Sequence, residues 1–262
     1  MLEIKNQVAV ITGGASGIGA TIARTWVKEG GKVVIGDINE ENLNKIKSEL
    51  GENNCTTLKV DVTKESDTEA LAKLAINQYG KINFVAPCAG IIADMMMVSP
   101  SKDDPNKVIK MPLNVWQKVI DVNLTGVFLT VRDCLEQMIL SKSTGCIVVI
   151  SSTGSLGTAG QINYSSTKAA MSVFPKVITA ELMRRNLSNK IRINAVAPGY
   201  TKTEMTANMN QSALEKIIEQ IPIGRMVLPE EVASLMLEIY RNEAIAGEVF
   251  FIHGGLRLGS RG

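Results

Sequence analysis

Apolar residues along this chain fall into short unbroken runs separated by stretches with helical spacing. Gln7-Val8-Ala9-Val10-Ile11 is a β-branched run of buried-strand type. It is followed by a glycine-rich turn, a segment with Ile22 and Trp26 at helical spacing, and a stop at Gly30-Gly31. The alternation then repeats. Strands are predicted at Lys32–Gly36, Thr56–Val60, Ile82–Ala86, Cys146–Ile150, Ile191–Val196 and Gly247–Ile252. Helices are predicted up to Leu50, from Lys64 to Tyr79, from Leu113 to Leu140 as one long helix, and from Ile162 to about Leu187. Strands that alternate with helices imply a parallel sheet covered on both faces, an α/β fold of Rossmann type with about seven strands. No linker, repeat or low-complexity tract divides the chain, so residues 1–262 read as a single domain. In such sheets ligands bind beyond the carboxyl ends of the strands, where Gly13, Asp37, Asp61, Gly90, Ser151 and Pro198 fall.

Two segments carry candidate chemistry. In Thr12-Gly13-Gly14-Ala15-Ser16-Gly17-Ile18-Gly19 the glycines suit a tight turn, close approach of backbone to a diphosphate and close helix packing. Asp37, at the end of the second strand, is placed to accept hydrogen bonds from ribose hydroxyls and to repel a 2′-phosphate. No Arg or Lys stands at Ala15, Ser16, Ile38 or Asn39 to offset that repulsion, so NAD(H) is expected over NADP(H). Asp37 is also a candidate cap for the helix beginning near Glu40.

The second segment is Tyr164 with Lys168 one helical turn on, thirteen positions (164 − 151) after Ser151. A phenol titrates near ~10, and proton transfer near neutrality needs a shift of roughly 2–3 units, or about 3–4 kcal/mol. One positive charge about 4–5 Å away at an effective dielectric of about 20 supplies roughly that much. The expectation is that Lys168 lowers the Tyr164 pKa and that the trio serves redox chemistry at a carbonyl or alcohol. An exposed Tyr and Lys on an amphipathic helix would give the same spacing.

Composition narrows the alternatives. Lys and Arg total 28 against 26 Asp and Glu, a balance too even to argue for nucleic acid. No apolar run reaches the ~20 residues that cross a bilayer, and no signal pattern opens the chain, so a cytoplasmic protein is expected. Cys55, Cys88, Cys134 and Cys146 lack ligand or disulfide spacing and read as reduced core or near-site thiols. The one histidine, His253, argues against a His-dependent hydrolase and a His-built metal site; no metal is expected.

Taken in order, these motifs resemble the short-chain dehydrogenase/reductase family from about Gln7 to the C-terminus. The resemblance implies that Gly13, Ala15, Ser16, Gly17, Ile18 and Gly19 form the cofactor turn, with Asp37 and Ile38 after the second strand and Asp61-Val62 flanking the adenine. It implies that Asn123 holds a water for proton relay, that Ser151, Tyr164 and Lys168 form the active site, and that Pro198-Gly199 with Thr203 grips the nicotinamide carboxamide. Departures are also present. Pro87-Cys88-Ala89-Gly90 stands where the family usually has Asn-Asn-Ala-Gly, and Pro87 cannot donate to a ladder, although Ala89-Gly90 can still pass beneath the ribose. Ser152 is one residue too close to Tyr164 for the family spacing, which selects Ser151. Thr201 stands where an apolar residue commonly covers the nicotinamide. The stretch from Ala93 to Pro112, including Pro105, is a longer loop than usual.

Ala89-Gly90-Ile91-Ile92, the Pro198–Met205 stretch and His253-Gly254-Gly255 resemble the 3-oxoacyl-thioester reductase branch. That resemblance implies a β-keto thioester substrate, and Lys142 and Arg185 as basic residues that receive an acidic acyl carrier protein. Apolar residues in 95–98, 203–209 and 217–223 are candidates to line a pocket. NAD-dependent 3-hydroxyacyl-CoA, steroid, sugar or secondary-alcohol dehydrogenases are the enzymatic competitors, favoured by Asp37 and the long loop. A nucleotide-sensing interaction protein is the non-enzymatic one, and the Ser151, Asn123, Tyr164 and Lys168 set argues against it. Family resemblance further implies a homotetramer, formed through the helices at 113–140 and 162–187.

Overall fold

The computed structural model describes residues 1–104, 106–207 and 210–256. Its centre is a seven-stranded sheet in which every adjoining pair is parallel. The strands are β1 (Val8–Thr12), β2 (Lys32–Asp37), β3 (Cys55–Lys59), β4 (Phe84–Pro87), β7 (Gly145–Ile150), β8 (Ile191–Pro198) and β9 (Val249–Ile252), ordered β3-β2-β1-β4-β7-β8-β9. Because side chains alternate along a strand, each run feeds two cores. Ala9, Ile11, Val33, Ile35, Phe84 and Val148 pack beneath α1 (Gly17–Lys28), α2 (Glu40–Leu50) and α10 (Pro229–Arg241). Val8, Val10, Val34, Val85, Ile147 and Ile193 pack beneath α3 (Glu65–Tyr79) and α5 (Gly126–Leu140). Strand order reverses between β1 and β4, and the crevice that carries the site opens there.

The sequence-based elements hold with four differences. The helix expected over 113–140 is α4 (Leu113–Ile120), a π turn (Asp121–Thr125) and α5, with Gly126 N–H bonded to the Asp121 carbonyl. The helix expected from 162 divides into α6 (Ile162–Met171) and α7 (Phe174–Arg184). Pro175 explains the break, since it has no N–H to offer the preceding turn and is accepted only at the start of a helix. The 93–112 stretch holds an antiparallel hairpin of β5 (Val98–Pro100) and β6 (Val108–Lys110), while Pro105 lies outside the described residues. Finally, α8 (Glu204–Ala207), α9 (Gln211–Ile218) and α10 were not read from the sequence.

One buried charge anchors the far half of the sheet. Arg192 of β8 is 7% exposed and has no acidic partner among the described residues. Its guanidinium donates instead to the carbonyls of Ile239 and Asn242 (3.1 Å each), Tyr240 (2.7 Å) and Ile245 (2.6 Å), which end α10 and begin the turn after it. Asn194, two residues on, donates to the same Ile245 carbonyl at 3.1 Å. Carbonyls left without a donor inside a protein cost free energy, so Arg192→Met is expected to lower unfolding free energy by about 3 kcal/mol in chemical denaturation. Wild-type stability in that variant would contradict this anchoring role.

Candidate active site

The strand ends and helix starts enclose a cleft of about 510 Å³. On one wall lies the turn from β1 into α1. Ser16 precedes the helix in extended conformation without capping it, which leaves the first amides of α1 facing the cleft. Gly17 has φ +51, and a Cβ there would project toward Thr203, 3.7 Å away. At Gly19 a Cβ would sit 2.3 Å from the Gly13 carbonyl, so the turn can close on the helix only with glycine at that position. Gly13, Ser16, Gly17, Ile18 and Gly19 line the cleft, whereas Ala15 lies behind it and donates its N–H to Asp37 Oδ2 at 3.1 Å.

Asp37 and Ile38 line the cleft beyond the turn. The Asp37 Oδ1 accepts from Asn39 N at 3.0 Å, and the capping role belongs to Asn39, whose side chain accepts from Asn42 N. The expectation of Asp37 as the helix cap is therefore corrected; its carboxylate is oriented by backbone amides at the cleft edge. Asp61 and Val62 lie on the same wall, and Asp61 is held ionised by the Thr63 hydroxyl at 2.7 Å. Free amides at a helix start, with carboxylates at the ends of β2 and β3, form a donor and acceptor set that fits a nicotinamide dinucleotide.

Across the cleft are Cys88, Ala89 and Gly90. Pro87 sits opposite Thr12 in the ladder, and the Cys88 amide, one residue later, donates to the Thr12 carbonyl at 2.9 Å. The Thr12 hydroxyl is buried without a partner among the described residues. Burial pushes the Cys88 thiol up to about 12 against the charge of Lys168, so it stays protonated; the other three cysteines are in the core. Asn123, in the π turn, does not line the cleft. Its amide accepts from Ile91 N and donates to Ile91 O, both at 2.8 Å, and holds the backbone that follows Gly90.

The β7 end and α6 meet at the floor. Lys168 is buried, with Nζ donating to the Ile150 carbonyl at 2.9 Å and lying 5.6 Å from the centre of the Tyr164 ring. Ser151 is 1% exposed, and its hydroxyl donates to the Lys168 carbonyl at 2.7 Å. Ser152 instead lies beside the Tyr164 phenol, where its hydroxyl favours the ionised form, and it accepts from Gly154 N at 3.0 Å. The Ser151 hydroxyl, expected to face Tyr164, is engaged by the Lys168 carbonyl, and it is Ser152 that acts on the phenol. Both residues border the cleft.

The electrostatics also differ from expectation. Burial raises the Tyr164 pKa above 10.0; the Ser152 bond opposes this and the Asp94 charge adds to it. Lys168 is not what sets the phenol, because burial lowers its own pKa to about 8. The cleft therefore holds a protonated phenol beside an amine that loses its charge just above neutrality.

Pro198, Gly199, Thr201 and Thr203 line the remaining wall. The Thr201 hydroxyl donates to the Gly199 carbonyl at 3.1 Å, and Thr206 ties the Thr201 and Thr203 carbonyls together. Of the candidate apolar stretches, Thr203 with Glu204 and Thr206 reaches the cleft, and residues 208–209 lie outside the described residues. Met97 borders a separate shallow hollow with Met111, Leu113, Trp116 and Ile162. Lys142 and Arg185 are exposed and lie off the cleft. Residues that the sequence reading missed on the cleft include Gln161 and Tyr200.

A model of the short chain dehydrogenase family matches residues 7–214. The chain is 33% identical over 259 residues to the 3-oxoacyl-acyl-carrier-protein reductase FabG of Thermotoga maritima, covering 97% of this chain and 99% of that one. It is 31% identical to the 2,5-dichloro-2,5-cyclohexadiene-1,4-diol dehydrogenase LinX of Sphingobium indicum, covering 98% of each. Among solved structures it is similar to a short-chain dehydrogenase/reductase described as glucose/ribitol dehydrogenase from Brucella melitensis, with TM-score 0.87, 27% identity, and 98% and 99% of the two chains covered.

The lowered Lys168 pKa has a consequence for stability. With the folded value near 8 and the unfolded one near 10.5, the unfolded chain binds more proton between them, so stability from this group grows as pH rises through that window. The unfolding free energy of wild type relative to Lys168→Met is expected to be flat below about 8 and to rise toward 10.5. A pH-independent difference would contradict a lowered Lys168 pKa.

Proposed function

The chain belongs to the short-chain dehydrogenase/reductase family, an NAD(P)(H)-using group of oxidoreductases acting at C=O and CH–OH carbons, and on that footing we propose that it reduces 3-oxoacyl thioesters with NADH. The observation that carries this reading is the meeting of Ser152, Tyr164 and Lys168 in the cleft onto which the α1 amides and Asp37 open. Similarity to a 3-oxoacyl-acyl-carrier-protein reductase supports the substrate class. The Asp37 carboxylate, held at the cleft edge by the amides of Ala15 and Asn39, supports NAD(H), since a 2′-phosphate would add like charge beside it.

The nicotinamide group supplies the hydride when bound. The residues of the chain do the rest. Ser152 and Tyr164 present hydroxyls to the carbonyl oxygen and stabilise the charge that grows on it. Tyr164, whose raised pKa keeps it protonated, gives its proton to that oxygen as general acid. Lys168 carries positive charge below about 8 and so stabilises the phenolate left behind. Ser151 and Asn123 act as positioning residues, the first fixing α6 against β7 and the second fixing Ile91. In reverse the same groups oxidise a secondary alcohol, and similarity to a diol dehydrogenase makes that direction the second reading.

Finer features belong to the same proposal. Residues 1–262 form one domain of a cytoplasmic enzyme. The exposed Lys142 and Arg185 meet an acidic carrier protein. A homotetramer covers the exposed Phe128, Leu140, Val177 and Met183 on α5 and α7.

Three outcomes test this reading. Ser152→Ala is expected to lower turnover on acetoacetyl thioesters about 10²-fold, as loss of one oxyanion donor does, and Ser151→Ala to lower it less, about tenfold, by loosening the clamp between α6 and β7. Tyr164→Phe should lower it about 10³-fold with NADH affinity intact. The ratio of kcat/KM for NADH over NADPH is expected to exceed one and to narrow in Asp37→Ala. The opposite ranking of the two serine variants would return the role to Ser151, and wild-type preference for NADPH would overturn the cofactor assignment.

A further inference from the structure

Gln161 stands at the start of α6, one turn before Tyr164, and its half-buried side chain lines the cleft. The segment that follows Ile92 is laced to this helix start by hydrogen bonds. Asn163 Nδ2 donates to the Ala93 carbonyl at 2.9 Å, Gln161 Nε2 to Asp94 Oδ2 at 2.8 Å, and Met95 N to the Gly160 carbonyl at 2.8 Å. A carboxylate accepts and cannot donate, so Asp94 fixes which end of the Gln161 amide faces it. Nε2 is turned to Asp94, and Oε1 is left as an acceptor with no donor among the described residues.

Gly154 places that acceptor relative to the reacting groups. It is buried, lines the cleft within the 3-10 turn Thr153–Leu156, and has a φ outside the left-handed region, so the backbone does not demand glycine there. What glycine provides is room. A Cβ at this position would stand 3.3 Å from Ser152 Oγ, 3.4 Å from Tyr164 Cε1 and 3.6 Å from Gln161 Oε1. One methyl-sized space is therefore bordered by the hydroxyl of Ser152, the ring of Tyr164 and a fixed acceptor. Ser152 and Tyr164 can donate to a carbonyl oxygen; Gln161 Oε1 cannot, and it calls for a donor on the same substrate.

On the reading of Ser152 and Tyr164 as the carbonyl-activating pair, we infer that Gln161 Oε1 accepts from a substrate hydroxyl on the carbon next to the reacting carbonyl. α-Hydroxy ketones, and the vicinal diols formed from them, are then a further substrate class of the cleft. The adjacent carbon is the position that fits, because both substrate oxygens must be met from the rim of one small space. In the reduction the carbonyl carbon gains hydride from NADH, its oxygen gains the Tyr164 proton, and the second hydroxyl is unchanged. Gln161 is a specificity residue, since a site that hydrogen-bonds a substrate group rejects the analogue lacking it, and Asp94 is the positioning residue that acts through it.

The test compares acetoin with butan-2-one, which differ by that hydroxyl alone, using purified protein and NADH. Wild type is expected to show a kcat/KM about tenfold higher on acetoin, carried mainly by KM. That ratio should collapse toward one in Gln161→Met, which removes the acceptor at similar length, and in Asp94→Ala, an exposed position whose loss frees the amide to turn. Saturation-transfer NMR on protein without cofactor should show the acetoin signal weakened in both variants. Equal kcat/KM for the two ketones in wild type, or a ratio kept in either variant, would overturn the assignment of Gln161 and Asp94. A preference for acetoin that depends on Gln161, with acetoacetyl-pantetheine not reduced, would support Gln161 and remove the 3-oxoacyl-thioester assignment. Undiminished acetoin turnover in Tyr164→Phe would remove the carbonyl-activating pair and the role of Gln161 with it.

Discussion

Two hydrogen bonds that cross between the end of β7 and α6 set the geometry of the site. The Ser151 hydroxyl donates to the Lys168 carbonyl, and the Lys168 amine donates to the Ile150 carbonyl. Each residue supplies what the other segment lacks: a helix carbonyl and a strand-end carbonyl, both away from solvent, that would otherwise go unpaired. The clamp has a directional effect. With Ser151 turned into the floor, Ser152 is the hydroxyl that meets Tyr164. It also explains why Lys168 does little to acidify the phenol in this structure, since the amine is itself desolvated and titrates near 8.

The sheet makes this clamp possible. Parallel strands buried on both faces bring all their carboxyl ends to one edge, so a turn, two carboxylates and a helix face from distant parts of the chain converge without any long loop. The stiffness of the frame comes from ordinary packing on both faces and from Arg192, which replaces an acidic partner with four carbonyls at the end of α10 and in the turn after it. Around the cleft many of the remaining polar side chains bond to backbone. Asp37 is oriented by amides, Asn123 holds Ile91, and Thr206 knits the 201–203 turn. Ser152 and Tyr164 present hydroxyls at the floor of the cleft, and Tyr200 lines the same cleft.

Much of this was legible in the sequence. Seven largely apolar runs became seven strands, because strands covered on both faces read as near-continuous apolar segments. The glycine turn and Asp37 were legible for a similar reason, since tight turns and close approach restrict residue choice. The misses have physical causes. Residues 121–125 contain neither Pro nor Gly, so nothing marks the π turn, whereas Pro175 did mark the break between α6 and α7 and was passed over. The hairpin at 98–110 is short, exposed and interrupted by Pro100, which leaves no alternation to detect. Spacing counted thirteen residues from Ser151 to Tyr164 but carries no information about which of two adjacent serines faces the helix. Tyr200 was missed because a lone aromatic after a Pro-Gly pair reads as loop.

The most direct measurement is a carbon NMR titration of Tyr164 in protein without cofactor, with the resonance assigned by Tyr→Phe replacement among the four tyrosines. The account predicts a midpoint above 10.0, raised further in Ser152→Ala because that hydroxyl favours the phenolate, and moved less in Ser151→Ala. A midpoint well below 10.0 in wild type, or one that responds to Ser151→Ala and ignores Ser152→Ala, would contradict it.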